Sequence, residues 1–172
     1  MRILTLNGSP AGRDSVNGRL LAAFAKLAPH HEWSSAPDLG ELPLFSPGRL
    51  ASGRPKGIAS LAREVAAADA VIVSTPEYAH NLPAALKSAL EWLVASGEFA
   101  GKPVVAMTAT PAPPRGEHCM RSLVTTLRAL DARVLVEAPV YDVAGKLDSG
   151  GQPEDPELRA TMEGVIGVIE GR

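Results

Sequence analysis

The residues Asn7-Gly8-Ser9-Pro10-Ala11-Gly12-Arg13-Asp14-Ser15-Val16-Asn17 combine the types that hold an anion. They follow an apolar run and precede a helical stripe, so they sit where a helix N-terminus offers unpaired N–H groups and the positive end of its dipole. Gly8 and Gly12 allow the backbone to bend and its N–H groups to converge. Ser9, Ser15 and Asn17 add side-chain donors, and Arg13 adds a planar charged fork suited to phosphate. The loop suits a terminal phosphate monoester. A plainer reading, with Ser15 only capping the helix and Arg13 solvated, stands beside it. Neither G-x-G-x-x-G nor G-x-x-x-x-G-K-[ST] is present, which disfavours a dinucleotide site of that type and a nucleotide triphosphatase.

Other chemistry-bearing residues are sparse. Pro76, after an apolar run, turns the chain outward and leaves Tyr78 at the strand ends. Thr108 to Gly116 reads as a Pro-rich loop at the end of another strand, where ligands bind in open parallel sheets. Glu77 is compatible with an exposed carboxylate or with a contact to another subunit. Lys87 and Glu91, four apart on a helix, suit an ion pair on a solvated face. Trp92 ends a helical stripe and reads as packing or interface. His30 and His31 precede a strand, where neighbouring side chains point to opposite faces, so they read as a poor chelate. Cys119, near a helix start, reads as a small buried hydrophobe rather than a nucleophile. No G-x-S-x-G elbow is present.

These residues need elements to place them. Arg2–Leu6, Ala70–Ser74 and Pro103–Met107 are short, continuous apolar runs ending in small or turn-forming residues. Such runs read as strands buried on both faces of a parallel sheet. Arg133–Val136 and His31–Ser34 are the fourth and fifth candidates. Helical stripes alternate with them: Val16/Leu20/Phe24/Leu27, Ile58/Leu61/Val65, Leu82/Leu86/Leu90/Leu93 with Pro83 in a first turn, Met120/Leu123/Val124/Leu127, and Leu158/Met162/Val165/Ile166/Ile169 behind Asp155-Pro156. Strict alternation predicts a doubly wound α/β fold, and five strands predict the flavodoxin-like order 2-1-3-4-5 with helices on both faces. No linker divides residues 1–172, which predicts one domain.

Composition narrows the classes. Among 172 residues, 17 Lys and Arg stand against 19 Asp and Glu, a net charge of −2 that argues against sequence-independent nucleic-acid binding. The single Cys excludes an internal disulfide and a multi-thiolate metal site. No run reaches the roughly 20 apolar residues of a membrane span, and Ile3–Leu6 is too short for a signal-peptide core. A cytoplasmic protein without nucleic-acid or membrane partners is the expectation.

The segment from Thr75 to Trp92 resembles the hallmark of the NADPH-dependent FMN reductase family, P-E-Y-N-x-S-x-P-x-x-L-K-N-A-[IL]-[DE]-W. Pro76, Glu77, Tyr78, Pro83, Leu86, Lys87, Ala89, Leu90, Glu91 and Trp92 stand in register. Asp38-Leu39 with Leu42-Pro43-Leu44-Phe45 is similar to the family's D-L-x-x-L-P-L-[FY] segment. Gly8-Ser9, Arg13, Ser15, Asn17 and Leu20 are similar to its phosphate loop, and Tyr141-Asp142 with Gly145–Asp148 to its tail. The resemblance implies a flavodoxin-like fold and bound FMN reduced by NADPH or NADH. It implies a small-molecule acceptor such as free flavin, a quinone, an azo compound or a metal oxyanion. It also implies a homodimer or homotetramer, with the helix from Pro83 to Val94 as a candidate contact. It places Ser9, Arg13, Ser15, Val16 and Asn17 at the FMN phosphate. Pro76, Glu77, Tyr78, Ala79, His80 and Asn81 would lie beside the ring, and Thr108 and Thr110 at its other edge. It calls for no catalytic acid or base and no metal. Arg115, Arg49 and Arg54 are candidates for the extra phosphate of NADPH.

Three departures stand out. The first loop is one residue longer between Gly8 and Ser15, Ala79 replaces the usual Asn, and Pro111, Pro113 and Pro114 replace glycines in the third loop. The last two motivate an alternative, a flavodoxin-type electron carrier without NAD(P)H turnover. The modest net charge counts against it.

Overall fold

The computed structural model describes residues 1–172. Five parallel strands, β1 (Arg2–Asn7), β2 (Glu32–Ser35), β3 (Ala70–Thr75), β4 (Pro103–Thr110) and β5 (Arg133–Tyr141), form one sheet in the order β2-β1-β3-β4-β5. The expected order is therefore present. The helices are α1 (Val16–Leu27), α2 (Pro47–Ala51), α3 (Lys56–Ala67), α4 (Ala84–Leu93), α5 (Glu117–Ala129), α6 (Val143–Lys146) and α7 (Pro156–Glu170).

Strand side chains alternate between two cores, because successive residues point to opposite faces. Leu4, Leu6, Val71, Val73, Val104 and Ala106 meet α3, α4 and α5 on one side. Ile3, Ala70, Ile72, Val105 and Met107 meet α1 and α7 on the other. Both faces are covered, which is why the strands are continuously apolar.

Several expectations are corrected. β4 runs on through Thr108, Ala109 and Thr110, so the third loop begins at Pro111. β5 extends to Tyr141, and Pro139 fits because β5 is an edge strand with no neighbour on its outer side. Pro83 stands just before α4 as its N-cap. The Leu42–Gly48 segment is anchored, since Trp92 Nε1 donates to Pro43 O at 2.8 Å and Phe45 N to Ser88 Oγ at 2.7 Å. Trp92 is fully buried against Phe45, with ring centroids 5.4 Å apart.

Candidate active site

The carboxyl ends of β1, β3, β4 and β5 open onto a cavity of about 430 Å³. Ser9, Ser15, Val16 and Asn17 line one side, Pro76 and Tyr78 a second, Thr110 and Pro111 a third, and Asp142 to Ala144 the last. Three loops that the sequence made candidates thus converge. The fourth, after β5, carries Asp142 in a left-handed conformation at φ 52°.

Asn7 organises the first loop. Its Nδ2 donates to Gly12 O at 2.7 Å and to Ser15 Oγ at 3.3 Å, while its Oδ1 accepts from Ser9 N at 3.0 Å. Gly8 lies so close to the strands that a Cβ would stand 2.7 Å from Leu86 Cδ2 and 2.8 Å from Thr75 Cβ. Ser15 caps α1, its hydroxyl accepting from Gly18 N at 3.0 Å. The N–H groups of Val16 and Asn17, in the first helical turn, have no intrahelical acceptor. Both residues line the cavity, so α1 presents free donors and its positive dipole end there. This arrangement fits a phosphate group. The Asn17 side chain is buried and its Oδ1 accepts from Ser74 Oγ at 2.7 Å, tying α1 to β3.

Arg13 stands elsewhere. It is exposed and lines a second cavity of about 390 Å³ between α1 and β2, with Thr5, Trp33 and Asp38. It is not part of the lining of the first cavity.

The turn after β3 is tight. Tyr78 N donates to Asn81 O at 3.0 Å and Asn81 N to Tyr78 O at 2.9 Å, with Ala79 at φ 49° and His80 at φ 58° between them. Two successive positive φ angles mark a type I′ turn. Tyr78 is 48% exposed at the cavity wall. Asn81 instead accepts from Ser122 Oγ at 2.7 Å and fastens the turn to α5. His80 is exposed, its ring centroid 5.1 Å from that of His118.

Glu77 points inward. Its Oε2 accepts from Cys119 N at 3.1 Å, and its Oε1 lies 3.4 Å from His80 Nδ1. Gly116, at the N-cap of α5, has no side chain to cap it, so Glu77 supplies the acceptor. Burial opposes its charge, but the N–H groups of Cys119 and Gly116 and the His80 ring outweigh that and hold the carboxyl below its ordinary range. The same surroundings silence Cys119. Burial first, then the Glu77 carboxylate, pushes the thiol up to about 12. Thr110 Oγ1 donates to Arg115 O at 2.9 Å, whereas Thr108 is wholly buried, its Oγ1 without a partner, beneath Gly116. Of the thirteen residues expected at the ligand, the cavity lining thus brings together Ser9, Ser15, Val16, Asn17, Pro76, Tyr78 and Thr110. Arg13, Glu77, Ala79, His80, Asn81 and Thr108 are not in that lining, Glu77 and Asn81 instead fastening the turn to α5. Asn7, named only as the start of the first loop, and Asp142, named only in the tail, carried no assigned role; the one signal for Asn7 is its place as the last strand residue before Gly8-Ser9.

The sequence model of the NADPH-dependent FMN reductase family matches residues 1–144. The chain belongs to that family. As an NADPH-dependent FMN reductase it is an FMN-dependent NAD(P)H oxidoreductase, and the electron-carrier alternative falls away. The chain is 32% identical to the quinone reductase of Escherichia coli K12 over 98% of its length and 92% of the relative's. It is 26% identical to an NAD(P)H-dependent FMN reductase of Pseudomonas aeruginosa over 99% and 94%. Among solved structures, the flavoenzyme NAD(P)H:(acceptor) oxidoreductase FerB of Paracoccus denitrificans superposes with a TM-score of 0.86 at 23% identity, over 99% of this chain and 97% of that one. An archaeal flavodoxin superposes with a TM-score of 0.66 at 12% identity, over 99% and 98%, which speaks to the fold alone. No helix of this reductase is long and apolar enough to cross a membrane.

Proposed function

We propose that the cavity at the carboxyl edge holds FMN and that the enzyme reduces quinones at the expense of NAD(P)H. The observation that carries this reading is the joining, in one cavity, of the free N-terminal donors of α1 with Tyr78 and Thr110 from two other strand ends. Ser9, Ser15 and the N–H groups of Val16 and Asn17 would hold the phosphate. Pro76, Tyr78, Thr110 and Pro111 would flank the ring. The bound flavin supplies the hydride chemistry, and the protein's part is to position and tune it. The half-exposed Tyr78 leaves that wall open to a second flat molecule, so donor and acceptor would use one face in turn.

The quinone assignment rests on the likeness to the Escherichia coli enzyme. For NADPH, Arg115 is the strongest cation among the three arginines. It is exposed on the third loop without an ion pair, whereas Arg54 pairs with Glu98 at 2.9 Å and Arg49 donates to Leu44 O at 2.6 Å. A dimer or tetramer acting in the cytoplasm completes the reading, with the exposed Val94 following α4 as a contact.

The test is spectroscopic and kinetic. FMN-loaded enzyme should bleach when NADPH is added without oxygen and recover when a benzoquinone follows. A protein that takes up no FMN, or whose bound FMN is not reduced by either nicotinamide nucleotide, overturns the proposal.

A further inference from the structure

At the amino edge of the sheet, away from the cavity, His30, His31 and Glu170 meet although the helix residue lies about 140 positions along the chain. His30 Nε2 stands 3.0 Å and His31 Nε2 3.1 Å from the same oxygen, Glu170 Oε1, and all three atoms lie within 4.8 Å of one another. The expectation that adjacent histidines diverge fails here. Both precede β2 and sit in a turn, where strand alternation does not operate, and their ring centroids are 4.2 Å apart.

The His31 side chain is only 6% exposed, and its Nε2 shares Glu170 Oε1, 3.1 Å away, with His30. His30, 61% exposed, leaves the cluster open to solvent on one side.

We propose that His30, His31 and Glu170 form a binding site for a borderline divalent transition-metal cation, with Zn²⁺ as the reference case, fastening the end of α7 to the turn before β2. Ligands at about 2.0–2.1 Å from a tetrahedral ion stand about 3.3 Å apart, close to the two nitrogen–oxygen distances here. The ring nitrogens of both histidines and Glu170 Oε1 become the protein ligands, and water completes the shell on the open side. Glu170 is the last residue of α7, whose final turn carries no basic residue, so the helix dipole also favours a cation there. The Arg172 guanidinium bonds Glu170 Oε2 and leaves Oε1 to the metal. The site lies across the sheet from the flavin cavity, so its role is structural.

Calorimetric titration of the FMN-loaded protein with ZnCl₂ tests this. One ion per chain is expected, with a rise in melting temperature. His30→Ala, at an exposed ring that leaves folding intact, should weaken binding at least roughly tenfold without changing NADPH oxidation, and Glu170→Gln should weaken it similarly. Absence of saturable binding up to roughly millimolar Zn²⁺ overturns the proposal. So does binding that survives His30→Ala but is lost in His118→Ala, which would place the ion at the other histidine pair.

Discussion

The two edges of the sheet are built differently. At the amino edge the backbone closes on itself: Asp69 N donates to Arg2 O at 2.8 Å, Gly101 N to Asp131 O at 2.8 Å and Arg133 N to Lys102 O at 2.9 Å. Arg2 adds ion pairs to Glu32 and Glu64, each at 3.6 Å. The carboxyl edge carries longer loops, and three of the four non-glycine residues with positive φ, Ala79, His80 and Asp142, lie there. Left-handed residues turn the chain sharply and leave donors unspent on neighbouring strands. The carboxyl edge joins its strands too, through Gly8 N to Ser74 O and Asp142 N to Thr110 O, but its outer rim also leaves N–H groups and hydroxyls facing the cavity. The difference concerns the rims, since both edges share the same close-packed strands beneath.

Gly8→Ala should have the largest effect and tests whether the ligand edge has a rigid floor. The added carbon meets Leu86 and Thr75 at under 3 Å, and Gly8 N is held by Ser74 O at 2.8 Å, so the loop cannot swing aside without losing that bond. Overpacking of this kind costs about 3 kcal/mol. The urea midpoint should fall and FMN should bind more weakly. An unchanged midpoint would mean that the loop is as soft as its outer residues, and the contrast between rim and floor would fail.

Glu77→Gln comes next. It removes the charge that caps α5 while keeping an acceptor, at a cost of about 1 kcal/mol at neutral pH. The folded carboxyl titrates below its ordinary value of 4.5. Its stabilisation is therefore present above the unfolded pKa and is lost as pH falls through the lower folded value. Wild type and variant should differ in urea midpoint at pH 7 and converge as pH falls through the lowered folded value. A difference that persists undiminished in acid would show that shape, not charge, carries the contact.

This contrast explains what was legible in the sequence. The strands were legible because burial on both faces makes them continuously apolar, as in Ala70–Val73. β4 and β5 were read short because Thr108, Thr110 and Pro139 look like loop residues, and only pairing of Thr108 with Pro139 and Thr110 with Tyr141 makes them strand. The phosphate loop was legible as a local motif, but Arg13 was not placed, since the motif does not say into which of two neighbouring cavities its side chain turns. Glu77 could not be read as the cap of α5, because its partner Cys119 lies 42 residues on. Glu170 and the two histidines share that difficulty: proximity across the fold leaves no spacing in the chain.

Ala79→Gly should have the smallest effect, with the opposite sign. Ala79 holds φ at 49°, where a Cβ crowds the carbonyl that follows and costs roughly 1–2 kcal/mol. Glycine removes that crowding but brings greater freedom to the unfolded chain, worth roughly 0.5–1 kcal/mol. The net gain is about 0.5 kcal/mol, a rise in melting temperature of roughly 1–2 °C for a chain of this size. The turn is fixed by the paired bonds between Tyr78 and Asn81 and by Ser122, none of which uses the Ala79 side chain. FMN affinity should therefore stay the same while stability rises. Lower stability in Ala79→Gly would mean that the left-handed turn is not strained, and the ligand edge would then differ from the other in loop length alone.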